Sequence, residues 1–391
     1  MQYSSLINRI FKSLFLKVLG SICGFLTIVI TAKFLGPEGR GEIALFVNIL
    51  TLILSFTSTF YSSFSYLIGN LKYKIEDVLN LTILTTLIFS IILLIIFNFF
   101  HYQYAYFILI AFVFANVINY MEGIGYALDN LNLVNLVKNA PSILTFTFML
   151  MFLSFQKSVL LVILSYLISF IILFLYIILK FWKFLKLKIN LKALKIFIKH
   201  GIFVALSTTT TFLLYRIDFF LIEKFYSKDI LGIYSVSISI GEINFIFLSF
   251  IIAAVAGKFF SDEGKTILKK SIFILWSFQI LGILFFLIFG KSFINFLFSK
   301  KFESSYLPSI IILLSTAIYN PSSIIAVYIN IKIGKTYIPF IISLTSLIVK
   351  SILAFFLIKE FSILGASISS LITYTLTFST YVFVYFKFIK N

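Results

Sequence analysis

Charge is what this chain has least of. Only 12% of its 391 residues are Asp, Glu, Lys or Arg, against about 25% in an average soluble chain, so it cannot build a water-facing surface of ordinary size. Cysteine is rarer still. Cys23 is the only one, which excludes a disulfide or a cysteine metal site within the chain. The two histidines, His101 and His200, sit at the edges of apolar runs and supply no metal or triad constellation. Arginine is confined to Arg9, Arg40 and Arg216, and tryptophan to 2 residues beside 51 Phe. That bias reads as AT-rich coding, so the phenylalanines are not taken as a substrate cage. No Gly-x-x-x-x-Gly-Lys-[Ser/Thr] occurs, and GPEGRG (36–41) is too short and turn-like for a nucleotide loop. No connection is long enough to hold a soluble active site. The chain therefore reads as a non-enzyme without a cofactor.

What the chain does have is apolar length. Hydrophobic residues make up 61% of it, and several runs approach or exceed the ~20 residues that cross a bilayer. Run length points to helices, because barrel strands alternate over ~10 residues. The expectation is an all-α polytopic membrane protein with about twelve spans, near 14–34, 43–68, 78–99, 104–121, 141–155, 159–182, 201–222, 232–256, 271–290, 307–330, 337–358 and 363–386. The first is long and lacks a cleavage site, so it reads as a retained span. The fifth is the shortest. The segment 183–200, with its alternating lysines, reads as an amphipathic stretch lying on the membrane between two halves, 1–190 and 191–391.

Thirty-two basic against 14 acidic residues raise the question of nucleic acid. The lysines, however, are dispersed between apolar runs, where they orient spans and meet anionic lipid. Basic residues fall roughly two to one on the side of the N-terminus. That places both termini in the cytoplasm, as an even number of spans requires.

The stretch 31–47, TAKFLGPEGRGEIALFV, joins the first two spans. Its glycines and Pro37 break the helix, and Glu38, Arg40 and Glu42 call for water, so the turn is expected at a membrane surface. An offset of 191 residues carries Lys33 onto Lys224, Phe34 onto Phe225 and Gly41 onto Gly232. The halves thus read as parallel six-span repeats, an arrangement in which transporters place their site between the halves near the midplane.

Polar residues inside the runs mark the candidate site. Span 2 carries Asn48, Thr51, Ser55, Ser58, Ser62 and Ser65 in steps of three and four, on one helical face. Span 8 carries Ser235, Ser239, Glu242 and Ser249, also on one face, and the repeat offset lays Asn48 over Ser239 and Thr51 over Glu242. Small hydroxyls alone suit helix packing. Glu242 changes the balance, since a mid-span carboxylate costs about 2.5–3.5 kcal/mol on insertion scales and seeks a wet cavity or a partner. Span 11 carries Ser343, Ser346 and Lys350, and a structural Lys350–Glu242 pair competes with a role for Lys350 as anchor for an anionic substrate. Span 7 carries Arg216 and Asp218, which two-residue spacing keeps from pairing with each other. Arg216 lies close enough to the span edge to snorkel to headgroups. Span 4 adds Asn116, Asn119 and Glu122, and Asn320-Pro321 is expected to kink span 10.

FLGPEGRGEIALF (34–46) resembles the outer turn of Wzx-type polysaccharide and O-antigen flippases of the multidrug/oligosaccharidyl-lipid/polysaccharide (MOP) exporter superfamily. YRIDFFLIEKFYSKDILGIYSVSISIGE (215–242) resembles the second-half pattern of that family: Arg-x-Asp, then Gly-Ile-Tyr, then an acidic residue within the next span. The resemblance covers essentially the whole chain. It implies two six-helix lobes around a cationic cavity in a bacterial cytoplasmic membrane. The implied activity is alternating-access transfer of undecaprenyl-pyrophosphate-linked oligosaccharide to the outer leaflet. Arg216 and Lys350 would hold the phosphates, and Asn48, Thr51, Ser55, Ser239 and Ser346 the sugar. Glu242 or Asp218 would carry a coupling H⁺ or Na⁺, and Glu122 is a further candidate for a coupling or structural charge. Implied partners are membrane lipid and other polysaccharide-assembly membrane proteins, not nucleic acid. The alternative within the superfamily is a cation-coupled multidrug or toxin antiporter. A third reading is a non-transporting scaffold in a sugar-assembly complex, against which the intramembrane charges argue.

Overall fold

The computed structural model describes residues 2–99, 102–184, 190–255, 258–259, 263–333, 335 and 337–387, with side chains described outside 2–12 and 331–332. His101, Lys186, Lys188 and Lys390, and the side chains of Arg9, Lys12 and Lys332, lie outside the described set.

Every regular element among these residues is helical: α1 Gln2–Thr57, α2 Tyr61–Gly69, α3 Ile75–Phe99, α4 Ala105–Ala127, α5 Leu131–Phe155, α6 Val159–Phe181, α7 Leu191–Phe225, α8 Lys228–Gly241, α9 Ile243–Val255, α10 Gly264–Leu297, α11 Tyr306–Tyr328 and α12 Tyr337–Tyr385, with short 3₁₀ or π turns between some of them. Among the described residues, ten helical stretches are long and apolar enough to cross a membrane. The chain is an all-α, multi-pass membrane protein. Large apolar side chains point outward on these helices, as with Phe273, Leu281 and Ile288 of α10. A lipid solvent permits this, provided the backbone is satisfied within each helix.

Two stretches, Ser13–Gly69 and Tyr337–Tyr385, far exceed one crossing, and each is two helices joined at a break. The first break is one residue, Gly36, at φ 70° and ψ −173°, a conformation essentially reserved for glycine. Pro37 then supplies a fixed φ for the first turn of the new helix. The turn is therefore tighter than the expected loop, and residues 37–42 are helical. The second break is Ser362, at φ 52°. There the chain folds back so closely that a Cβ on Gly365 would overlap the carbonyl of Leu357.

Two further expectations are corrected. The fifth span begins at Leu131, not near 141, and Pro141 is accommodated inside a 25-residue helix. Of the segment expected to lie on the membrane, 185–189 falls outside the described residues and 191–200 is the first part of the 35-residue α7. The Asn320-Pro321 pair lies within α11, with Pro321 inside the helix, the setting in which a kink is expected.

The chain divides into two compact units. The first comprises residues 1–34 and 45–212, with a core of Phe60, Phe64, Tyr120, Leu173 and Phe197. The second comprises 35–44 and 213–391, with a core of Leu248, Leu275, Ile325, Tyr328, Ile342 and Tyr381.

Inside the second unit, the 37–44 helix start packs on the start of α8. A Cβ at Gly41 would overlap the carbonyl of Lys228, and a Cβ at Gly232 would overlap the carbonyl of Pro37. Arg40 and Glu42, expected to face water, are covered by this crossing. Arg40 is buried and donates from Nε to Ser235 Oγ at 3.0 Å, and Glu42 pairs with Lys228 at 2.8 Å.

Candidate functional site

The second unit gathers four charged side chains within apolar helices. α7 supplies two of them from one turn. Positions 216 and 218 are about 200° apart around a helix, so Arg216 and Asp218 reach different neighbours. Arg216 meets Glu242 through both fork nitrogens, at 2.5 and 2.6 Å. Asp218 Oδ1 lies 2.7 Å from Lys350 Nζ of α12. The sequence-level alternatives of a Lys350–Glu242 pair and a snorkelling Arg216 are both corrected, because each cation meets the carboxylate on the helix that faces it. The two pairs are close enough to feel one another's charge.

Their environments differ. Asp218 and Lys350 are fully buried, whereas the side chains of Arg216 and Glu242 retain 22% and 20% of their exposure. Asp218 Oδ2 also accepts from Tyr234 OH at 2.5 Å and Ser370 Oγ at 3.3 Å. Lys350 sits 5.4 Å over the ring of Tyr374. Tyr374 is part of an aromatic group with Tyr215 and Tyr319, and Tyr215 OH donates to Tyr319 OH at 3.0 Å. Buried charge needs such pairing and hydrogen bonding to be tolerated at all.

Glu242 is aimed by a break in its span. α8 stops at Gly241, Glu242 adopts φ −86° and ψ −1°, and α9 starts at Ile243. Gly241 has no room for a side chain, since a Cβ there would overlap Ile312 of α11. The groups around the break are satisfied by α11. Thr316 Oγ1 donates to Gly241 O at 2.9 Å, Asn244 Nδ2 donates to Leu313 O at 3.0 Å and Thr316 Oγ1 at 2.9 Å, and Asn320 Nδ2 donates to Asn244 O at 3.2 Å. Backbone polar groups at membrane depth need partners of this kind. Asn244→Leu should lower stability by about 1–3 kcal/mol, read as a reduced melting temperature of the detergent-purified protein. An unchanged melting temperature would mean that the break does not depend on Asn244.

The expected hydroxyl stripes are present, but apart from Ser65, which donates to Gly123 O of α4 at 2.9 Å, they spend their hydrogens mostly on their own helix. Thr51 donates to Val47 O, Ser55 to Leu52 O, Ser58 to Leu54 O and Ser239 to Ser235 O. Ser55 also meets Thr209 at 3.4 Å, and Asn48 is buried. A hydroxyl bonded back to its own helix still has lone pairs, so the stripe offers acceptors. Ser346 is buried against Thr377 at 2.7 Å. Asn48, Thr51, Ser55 and Glu122 belong to the first unit. There Glu122 pairs with Lys138 at 2.6 Å. The site thus brings together Arg216, Asp218, Glu242 and Lys350. Sequence reasoning missed the span break, Asn244, Thr316 and the tyrosines, although an isolated Gly-Glu inside an apolar run was the available signal. Among the described residues no group of three His, Cys, Asp or Glu is placed to hold a metal.

No family model and no curated protein matches the sequence. Solved structures do match its fold. An inward-facing multidrug resistance MATE family transporter of the MOP superfamily matches with a TM-score of 0.72 at 14% identity, covering 94% of each chain. The lipid II flippase MurJ in an inward closed conformation matches with a TM-score of 0.77 at 17% identity, covering 96% of this chain and 87% of that one. A MOP superfamily transporter from Pyrococcus furiosus, whose binding pocket is described as having reverse polarity, matches with a TM-score of 0.59 at 14% identity over 95% of this chain and 92% of its own. The chain has the helical fold of these transporters.

Proposed function

We propose that this protein is a flippase. It carries undecaprenyl-pyrophosphate-linked oligosaccharide from the cytoplasmic to the outer leaflet of a bacterial inner membrane, for O-antigen or capsule synthesis. Taking the stretches broken at Gly36 and Ser362 as two spans each raises the ten among the described residues to twelve, an even number compatible with both termini in the cytoplasm, the orientation this reading takes from the basic residues. The observation that carries it is the balanced quartet, and above all the part-exposed Arg216–Glu242 fork. A guanidinium binds a phosphate with the same two parallel hydrogen bonds that it gives a carboxylate. A pyrophosphate can therefore replace Glu242 on Arg216 without rebuilding the donor. Glu242, once displaced, becomes the group that takes a coupling H⁺ or Na⁺. Asp218–Lys350 has no exposure and engages substrate only in a state that opens α7 from α12. In the first unit the acceptor-rich stripe of Asn48, Thr51 and Ser55 suits sugar hydroxyls, which bring donors, and in the second unit Ser239 offers an acceptor of the same kind. Ser346, bonded to Thr377, is assigned to packing.

A multidrug or toxin antiporter of the same fold would favour surplus negative charge for a cationic cargo, and the quartet has none. The test uses a strain lacking this gene. Undecaprenyl-linked repeat units should accumulate and surface polymer should vanish, both reversed by the intact chain. Arg216→Ala at normal protein level should restore less than a tenth of the polymer, which corresponds to at least about 1.4 kcal/mol in the transport step. Full export by Arg216→Ala would sink the assignment of Arg216. Unchanged lipids with reduced dye efflux would select the antiporter.

A further inference from the structure

A groove of about 290 Å³ opens in the first unit between the beginning of α1, the beginning of α5 and the end of α6. Asn132, Asn135 and Asn139 line it from one face of α5, and Tyr176 and Lys180 line it from α6. Its apolar lining is Leu16, Leu133, Leu136, Ala140 and Ile143. The amide face is held in place, because Asn135 Nδ2 donates to Ser13 Oγ at 2.7 Å and Asn139 Nδ2 to the Asn135 carbonyl at 3.0 Å. Charge comes from Lys180, whose ammonium rests 5.7 Å over the Tyr176 ring, a contact that positions it without neutralising it. Lys138, on the same turn of α5 as Asn139, is already matched by Glu122. Phe15 and Leu179, next in sequence to the lining residues Leu16 and Lys180, are exposed.

The combination is specific. Amides and one ammonium at the end of the spans suit a phosphate, whereas the apolar lining beside lipid-facing residues suits a hydrocarbon chain. We propose that this groove binds the phosphate headgroup of an anionic membrane lipid. The phosphate lies between Lys180 and the asparagine amides, and an acyl chain lies along Leu16, Leu136 and Ile143. Basic pockets between spans recognise lipid headgroups in this way. The site uses no residue assigned to transport, so it stands or falls separately from the flippase reading.

The experiment is native mass spectrometry of the full chain in detergent. Phosphatidylglycerol or phosphatidylcholine is added, and inorganic phosphate serves as competitor. The intact chain should retain phosphatidylglycerol several-fold over phosphatidylcholine, roughly the preference that one juxtamembrane lysine confers. Lys180→Gln should lower that preference about fivefold, and Lys180→Arg should keep it. Lys291→Gln, which removes a lysine with the same kind of ring contact but from the second unit, should leave it unchanged. Retention equal for both lipids, or a loss as large for Lys291→Gln as for Lys180→Gln, would overturn the site. Displacement of the lipid by millimolar inorganic phosphate would overturn the lipid assignment in favour of a soluble phosphate. Lys180 is exposed, so misfolding is not expected to obscure the result, and a melting curve for each variant checks this.

Discussion

Replacing Lys350 alone with Met should lower the stability of the folded chain by about 3–5 kcal/mol, the usual loss when one partner of a buried pair is removed. The reason is not the strength of the pair. Asp218 and Lys350 are both fully buried, so deleting the ammonium leaves a carboxylate without water and without its counter-charge. Two donors, Tyr234 OH and Ser370 Oγ, stay on Asp218 Oδ2, and neither carries charge. Pairing Lys350→Met with Asp218→Asn should recover most of the loss. An asparagine oxygen still accepts from Tyr234 and Ser370, and a methionine fills much of the volume of the lysine stem beside Tyr374. Measured as melting temperature and folded yield in detergent, the order should be single variant far below double variant, and double variant near the intact chain. A double variant as unstable as the single would show that the ion pair is worth more than its desolvation. A single variant as stable as the intact chain would show that Asp218 is not held in this environment. The same series separates stability from transport. A well-folded double variant that no longer exports polymer would assign these charges to substrate, because a merely structural pair would be dispensable once neutralised on both sides.

The second large effect is expected at Gly41 and Gly232. Each has the other segment's backbone where its Cβ would be, and a backbone carbonyl cannot rotate aside as a flexible side chain can. Gly41→Leu and Gly232→Leu should each cost at least the ~1–3 kcal/mol typical of overpacking. The double variant should cost less than the two losses added, because the first side chain already separates the segments and residues in one contact do not act independently. Unfolding midpoints of the singles and the double test this. Strict additivity would mean that the two glycines do not share one contact.

The class of fold was readable from the sequence because composition and run length leave few choices: so little charge over so many residues can be accommodated only in lipid. Arg216 and Asp218 were also legible as a divergent pair, since helical spacing fixes that they point apart. Their partners were not, because spacing on one helix says nothing about which helix lies on either side. The lysine-rich stretch before 201 was misread for a related reason. Lys192, Lys195 and Lys199 fall on one face, which suits a helix lying in the interface. It equally suits the first turns of a long span that has not yet entered the hydrocarbon, and α7 takes the second course. The early part of α5 was missed because Asn132, Asn135 and Asn139 dilute its hydropathy. Those same residues form the wall of the lipid groove, so the signal that hid the helix end is the one that gives it a role. The break at Glu242 needed α11 to be visible, because a chain can leave helical geometry inside a membrane only where a neighbour supplies the missing hydrogen bonds.

The glycine crossing also bears on how such a chain can arise. Its two overlaps are Gly41 on Lys228 and Gly232 on Pro37, and adding 191 residues to 41 and 37 gives 232 and 228. The contact is thus self-complementary: each partner presents the same position to the other, as in an interface between two identical subunits. A gene encoding only half of this chain would already possess both sides of it. Such a product could pair with its own twin before any duplication joined the copies, and fusion would have preserved a contact that already existed.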